Sequence, residues 1–133
     1  PAEITAQPRN HWIAELVGTN LFAGESDVEG RVNVDGGGVL TIADRLPPGR
    51  VFATIHPRAV SLHHHEAEGS PRNSWPGRVA SIEPVGDRLR VRVDARPPIV
   101  AEVTPAAASS LGLVDAAPLW VAVKATEIDV YPE

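Results

Sequence analysis

Proline and glycine interrupt this chain too often for any long regular element to form. Its 133 residues hold 13 Pro and 11 Gly, set between short runs of Val, Ala, Leu and Ile. Short apolar runs bounded by turn residues read as many brief strands, so the chain is expected to be mainly β. Hydrophobic residues make up 43% of it, which supports a real core and argues against global disorder. The length suits one ordinary domain or two small, closely packed repeats.

Composition excludes several classes. The net charge is −5, whereas a nucleic-acid binder needs a basic face to neutralise phosphates. A small anion in a local basic pocket is compatible with that balance. There is no Cys, hence no disulfide frame and no thiolate metal site, which fits a reducing compartment. No apolar run approaches the roughly 20 residues of a membrane-spanning helix. No signal peptide is visible. The chain begins at Pro1 and contains no Met, so a processed product or a piece of a larger protein is expected.

Residues 2–17 carry a helical pattern. Ile4, Trp12, Ile13, Leu16 and Val17 are apolar, Pro8 breaks the run and Gly18 ends it. The apolar period then becomes two. Val32 and Val34 alternate with polar residues before the Asp35–Gly38 turn, and Val39–Ile42 is the return strand. Further strands are expected over Val51–Ile55, Val60–Leu62, Arg78–Ile82, Leu89–Val93, Ile99–Val103, Leu119–Val123 and Ile128–Tyr131, with a polar connection over residues 63–74. Thr104 as N-cap, Pro105 at the first helical position and Gly112 past the end predict one short helix.

The two halves resemble each other. Asn20-Leu21-Phe22-Ala23-Gly24 parallels Asn73-Ser74-Trp75-Pro76-Gly77 at an offset of 53 residues. Val51–Ile55 parallels Leu119–Val123 at an offset of 68. Two related small barrels are therefore expected, the first shorter by 15 residues and the second carrying the Thr104 helix.

No catalytic set can be assembled. Gly36-Gly37-Gly38 lacks the Lys and helix of a phosphate-cradling loop and reads as a hairpin turn. His63, His64, His65 and Glu66 are metal-ligand types, but successive strand residues point to opposite faces. A solvated connector, with no metal, is expected there. Ser70-Pro71-Arg72-Asn73 and Lys124-Ala125-Thr126-Glu127 are sharper. They bring two hydroxyls, a guanidinium, an ammonium and an amide, all hydrogen-bond donors. Thr104 adds a hydroxyl, and the amides of Ala106 and Ala107 stand at a helix start. Either tetrapeptide alone reads only as a turn with solvated charges.

Together with their surroundings, these motifs resemble the Mop (molbindin) family, also called the TOBE domain, over residues 70–131. The matching segments are Ser70-Pro71-Arg72-Asn73, Gly77-Arg78-Val79, Thr104 through Leu113, and Lys124-Ala125-Thr126-Glu127. The resemblance implies small barrels of the oligonucleotide/oligosaccharide-binding (OB) type that bind molybdate or tungstate, commonly between subunits. Pro1-Ala2-Glu3-Ile4 through Pro8, then Trp12 through Gly18 and Asn20, are similar to the segment where the ATPase subunit of an ABC importer leaves its nucleotide-binding domain.

The combined resemblance implies a C-terminal regulatory region of a molybdate-importer ATPase. Residues 1–18 would be a helical linker from a missing ATPase domain, 19–69 a degenerate first Mop-like repeat, and 70–133 the second. The implied oxyanion ligands are Ser70, Arg72, Asn73, Thr104, Lys124, Ala125 and Thr126. The implied partners are a small oxyanion, a second copy paired through the barrels, and a membrane permease reached through the ATPase domain. The implied location is the cytoplasmic face of the plasma membrane. No enzyme activity, cofactor or nucleic-acid partner is expected of this segment itself. The alternatives are a ligand-free dimerisation tail, or the molybdate-binding part of a storage protein or transcription regulator.

Three departures matter. Pro71 has no N–H to offer an anion, and Leu16 stands where the importer segment usually has an aromatic. The first repeat has His56-Pro57-Arg58 in place of Lys124-Ala125-Thr126, and Gly18-Thr19 in place of Pro71-Arg72. Its anion site is expected to be degenerate, with Arg58 still able to contribute. A pocket built only of donors would suit a dianion and disfavour monohydrogen phosphate, whose proton needs an acceptor.

Overall fold

The computed structural model describes residues 18–69 and 72–133. The helix expected over residues 2–17 lies outside the described residues, as do Ser70 and Pro71. The first half supplies β1 (Asn20–Ser26), β2 (Arg31–Val34), β3 (Val39–Thr41), β4 (Gly49–Ile55), a 3-10 turn at Pro57–Ala59 and β5 (Ser61–His63). The second supplies β6 (Arg72–Val85), β7 (Arg88–Ala95), β8 (Ile99–Val103), helix α1 (Pro105–Leu111), β9 (Pro118–Lys124), a 3-10 turn at Ala125–Glu127 and β10 (Ile128–Pro132).

The predicted strands are present, and α1 has the predicted ends. The Thr104 hydroxyl accepts from the Ala107 amide, and Gly112 closes the helix in the left-handed conformation at φ 65°. One strand is much longer than expected. β6 begins at Arg72, within the stretch read as a polar connection, and runs through Pro76. Proline is tolerated there because pairing with β7 starts only at Gly77, so Pro76 has a neighbour on the β9 side alone.

The strands form two five-stranded sheets, in the orders β10-β4-β1-β2-β3 and β5-β9-β6-β7-β8. Each curls into a small OB-like half-barrel. In the second, the outer strands β5 and β8 touch, and the Pro57–Ala59 turn packs on β8. Alternate residues of both sheets feed one apolar cluster, in which Val32, Leu40, Ile55, Val91, Val121 and Val123 are almost wholly buried.

The duplication extends to the register. β1 pairs with β4 so that Asn20 faces Ile55 and Gly24 faces Val51. β6 pairs with β9 so that Asn73 faces Val123 and Gly77 faces Leu119. The repeated glycines mark where strands lie too close for a side chain. A Cβ at Gly24 would stand 2.4 Å from the Asn33 carbonyl oxygen, and one at Gly77 would stand 2.7 Å from Val93 Cγ1.

The halves then exchange their last strands. β5 leaves the first half and pairs with β9, Leu62 opposite Val121. β10 leaves the second half and pairs with β4, Val130 opposite Ala53. The sheets thus cut across a division at residues 69 and 70.

The repeated asparagines lock the exchange. β3 and β8 are edge strands, with backbone groups open on one side. The Asn73 side chain accepts from Thr41 N at 2.6 Å and donates to Thr41 O at 2.9 Å, both on β3 of the other sheet. The Asn20 side chain does the same to Val100 on β8, accepting from its N and donating to its O, each at 2.9 Å. A primary amide carries the same donor and acceptor as a peptide group, so each Asn acts as a one-residue strand on the partner barrel's edge. Thr41 and Val100 are therefore equivalent, at an offset of 59 residues. A net six of the extra residues in the second half lie before that point, and nine lie after it, with α1.

Candidate oxyanion site

The β6–β9 ladder brings the two donor motifs together. Arg72 stands directly opposite Lys124 and Asn73 opposite Val123. Lys124 is exposed at the end of β9, and the chain turns immediately after it. Ala125 is buried in that turn, and Thr126 is exposed on its outer side.

The remaining expected ligands are placed differently. The Asn73 amide is committed to Thr41, with a longer bond at 3.4 Å to Val123 O, so both its hydrogens are used inside the fold. The Thr104 hydroxyl caps α1 at 3.1 Å from Ala107 N, which also occupies one of the two helix-start amides. No hydrogen bond links Thr104 to Lys124 or Thr126 among the described residues. Ser70 lies outside them.

Three residues beside Lys124 were not among the expected ligands. Arg58, Ser61 and His63 line a cleft of about 400 Å³ together with Lys124. They come from the first half, carried over by the Pro57–Ala59 turn and β5. The duplication contained a signal for this, since Arg58 and Thr126 occupy the same position of the two turns. Nothing in the local sequence says that β5 crosses to the other sheet. Glu127 also lines the cleft, so its wall is not made of donors alone.

Glu102 on β8 organises the arginines nearby. Its carboxylate, only 11% exposed, accepts from Arg90 at 2.9 Å and from Arg58 at 3.4 Å. The Arg90 bond holds the Glu102 carboxyl below the usual carboxylate range; burial opposes this, and Arg58 adds to it.

His64 and His65 are exposed, with ring centroids 6.5 Å apart. No three metal-ligand side chains converge among the described residues. A larger groove of about 930 Å³ runs past Trp75, Pro118 and Trp120, but it includes none of the expected oxyanion ligands. No helix among the described residues is long and apolar enough to cross a membrane.

These features define a tandem OB-like barrel module with a cationic cleft at the strand exchange. Residues 69–130 match the model of the TOBE domain family. The molybdenum import ATP-binding protein ModC of Mycobacterium tuberculosis, in strains CDC 1551 and H37Rv, is 29% identical over 138 aligned residues. That alignment covers 98% of this chain but 37% of ModC, so the chain spans little more than a third of these relatives. The fold matches the molybdate-bound crystal structure of the cytoplasmic molybdate-binding protein ModG with a TM-score of 0.75. The match has 23% identity and covers 86% of this chain and 96% of ModG.

Proposed function

We propose that this chain is an oxyanion-binding regulatory region of a molybdate-importer ATPase, taking molybdate or tungstate beside Lys124. The observation that carries the reading is the pairing of Arg72 with Lys124, which joins the two motifs at one end of a ladder. The similarity to ModC along nearly the whole chain supports the importer context. Molybdate is a dianion that only accepts hydrogen bonds, so cationic and hydroxyl donors suit it. Arg72 and Lys124 supply charge, while Ser70 and backbone amides supply geometry. Anion binding regulates transport if it favours one arrangement of paired tails over another. Pairing with a second copy, contact with a permease through an ATPase domain, and a place at the inner membrane face belong to the same reading.

The second reading is a dimerisation tail without ligand. It is favoured by the commitment of the Asn73 amide and the Thr104 hydroxyl within the fold. Titration calorimetry with molybdate, tungstate, sulfate and phosphate separates the two. Oxyanion binding is expected for molybdate or tungstate and is strongly weakened by Lys124→Ala. Absence of binding heat and of any melting shift with all four anions overturns the first reading.

A further inference from the structure

We propose that the first half of the chain completes the second barrel's anion site, with Arg58 as a further cation and Ser61 as a hydroxyl donor held by His63. This rests on the reading that an oxyanion binds beside Lys124. The positions follow from the strand exchange. β5 lies against β9 with Ser61 opposite Ala122, two residues before Lys124, so residues of both halves line one cleft.

The turn that presents Arg58 is well held. Pro57 is buried, His56 Nδ1 accepts from Arg58 N at 3.0 Å, and Ala59 N donates to His56 O at 2.8 Å. The guanidinium itself is open to solvent. It is 57% exposed, and its one side-chain partner among the described residues is Glu102, reached at 3.4 Å. Glu102 keeps its shorter bond to Arg90 if Arg58 turns to an anion.

The Ser61 hydroxyl has one hydrogen and two close neighbours. Its oxygen lies 3.2 Å from the Ala122 carbonyl oxygen and 2.8 Å from His63 Nε2. The carbonyl can only accept, so for both bonds to hold, His63 Nε2 carries the hydrogen and donates to Ser61. His63 thereby leaves the Ser61 hydrogen free to swing from the carbonyl to an anion.

The duplicated fold contains a second position of this kind, and its chemistry differs. The 68-residue offset sets Thr126, Asp129, Tyr131 and His56 where the cleft has Arg58, Ser61, His63 and Lys124. A carboxylate replaces the hydroxyl and no permanent cation remains, so that position repels a dianion. One oxyanion per chain is therefore expected at this pair of positions. Glu127 in the cleft and Glu102 behind Arg58 are the opposing charges, and both remain in every variant below.

The test is a molybdate titration of the 133-residue chain, run as wild type, Arg58→Ala, Arg58→Lys, Ser61→Ala and Lys124→Ala. Loss of a charge-assisted donor weakens binding about tenfold for Arg58→Ala, with partial recovery in Arg58→Lys. Ser61→Ala weakens it severalfold, and the ligand-free melting temperature of the Arg58 variants stays near wild type. If Lys124→Ala loses binding while Arg58→Ala and Ser61→Ala titrate like wild type, the first-half contribution is wrong and the oxyanion reading stands. If the wild type binds neither molybdate nor tungstate, both fall.

Discussion

Replacing Asn73 with Ala removes three hydrogen bonds at once: those with Thr41 N and Thr41 O, and the longer one to Val123 O. Asn73 is 7% exposed, so water does not readily take its place. A neutral bond contributes about 1 kcal/mol net, and a buried group left unpaired costs more. Thr41 is exposed enough for water to reach its backbone, which limits that penalty. The expected loss is therefore about 3 kcal/mol, or roughly 10 °C in melting temperature for a domain of this size. Urea unfolding and thermal melts measure it. Asn73→Asp distinguishes lost bonding from lost volume. It keeps the shape but faces two carbonyl oxygens with a carboxylate, so at neutral pH it should be at least as unstable as Asn73→Ala. Protonation of the aspartate in mild acid should narrow that gap. Asn20→Ala removes the equivalent bonds to Val100 and Ile55, so its loss should be of the same size. A change below about 0.5 kcal/mol for Asn73→Ala, within the usual range for inert surface substitutions, would refute the strand-surrogate role. Unchanged stability with lost oxyanion binding would instead make Asn73 a ligand.

Further consequences concern the backbone and pH. Gly24→Ala and Gly77→Ala each force a methyl into a neighbouring strand and should destabilise by about 2 kcal/mol, read from urea midpoints; Gly36→Ala is no substitute, because its strain comes from φ 89° instead. For Glu102 the folded-state pKa lies below the ordinary value. Its pairing with Arg90 and Arg58 therefore stabilises the fold above that ordinary value and is lost as pH falls through the folded one. Melting temperature followed from pH 7 downward should show this acid limb, and Glu102→Gln should flatten it; an unchanged limb would assign acid sensitivity to other carboxylates.

The short-range features of this protein were legible in its sequence. Alternation at Val32 and Val34, the Asp35–Gly38 turn and the Thr104, Pro105 and Gly112 signals are set by neighbours a few residues apart, and they folded as read. The repeated Asn and Gly motifs exposed the duplication because identical ladders impose identical demands at the same register. The same ladder sets Arg72 opposite Lys124. The start of β6 was not legible, because Pro76 is acceptable in a strand only where a second neighbour is missing. Tertiary structure alone decided where each half's last strand goes. The Pro57–Ala59 and Ala125–Glu127 turns have similar cap geometry and both hand the next strand to the other sheet, but the strands that receive them, β9 and β4, come from residues distant in sequence. That exchange set Arg58, Ser61 and His63 beside Lys124. Lys124, at the end of a strand of one repeat, thereby lines a cleft shared with the other.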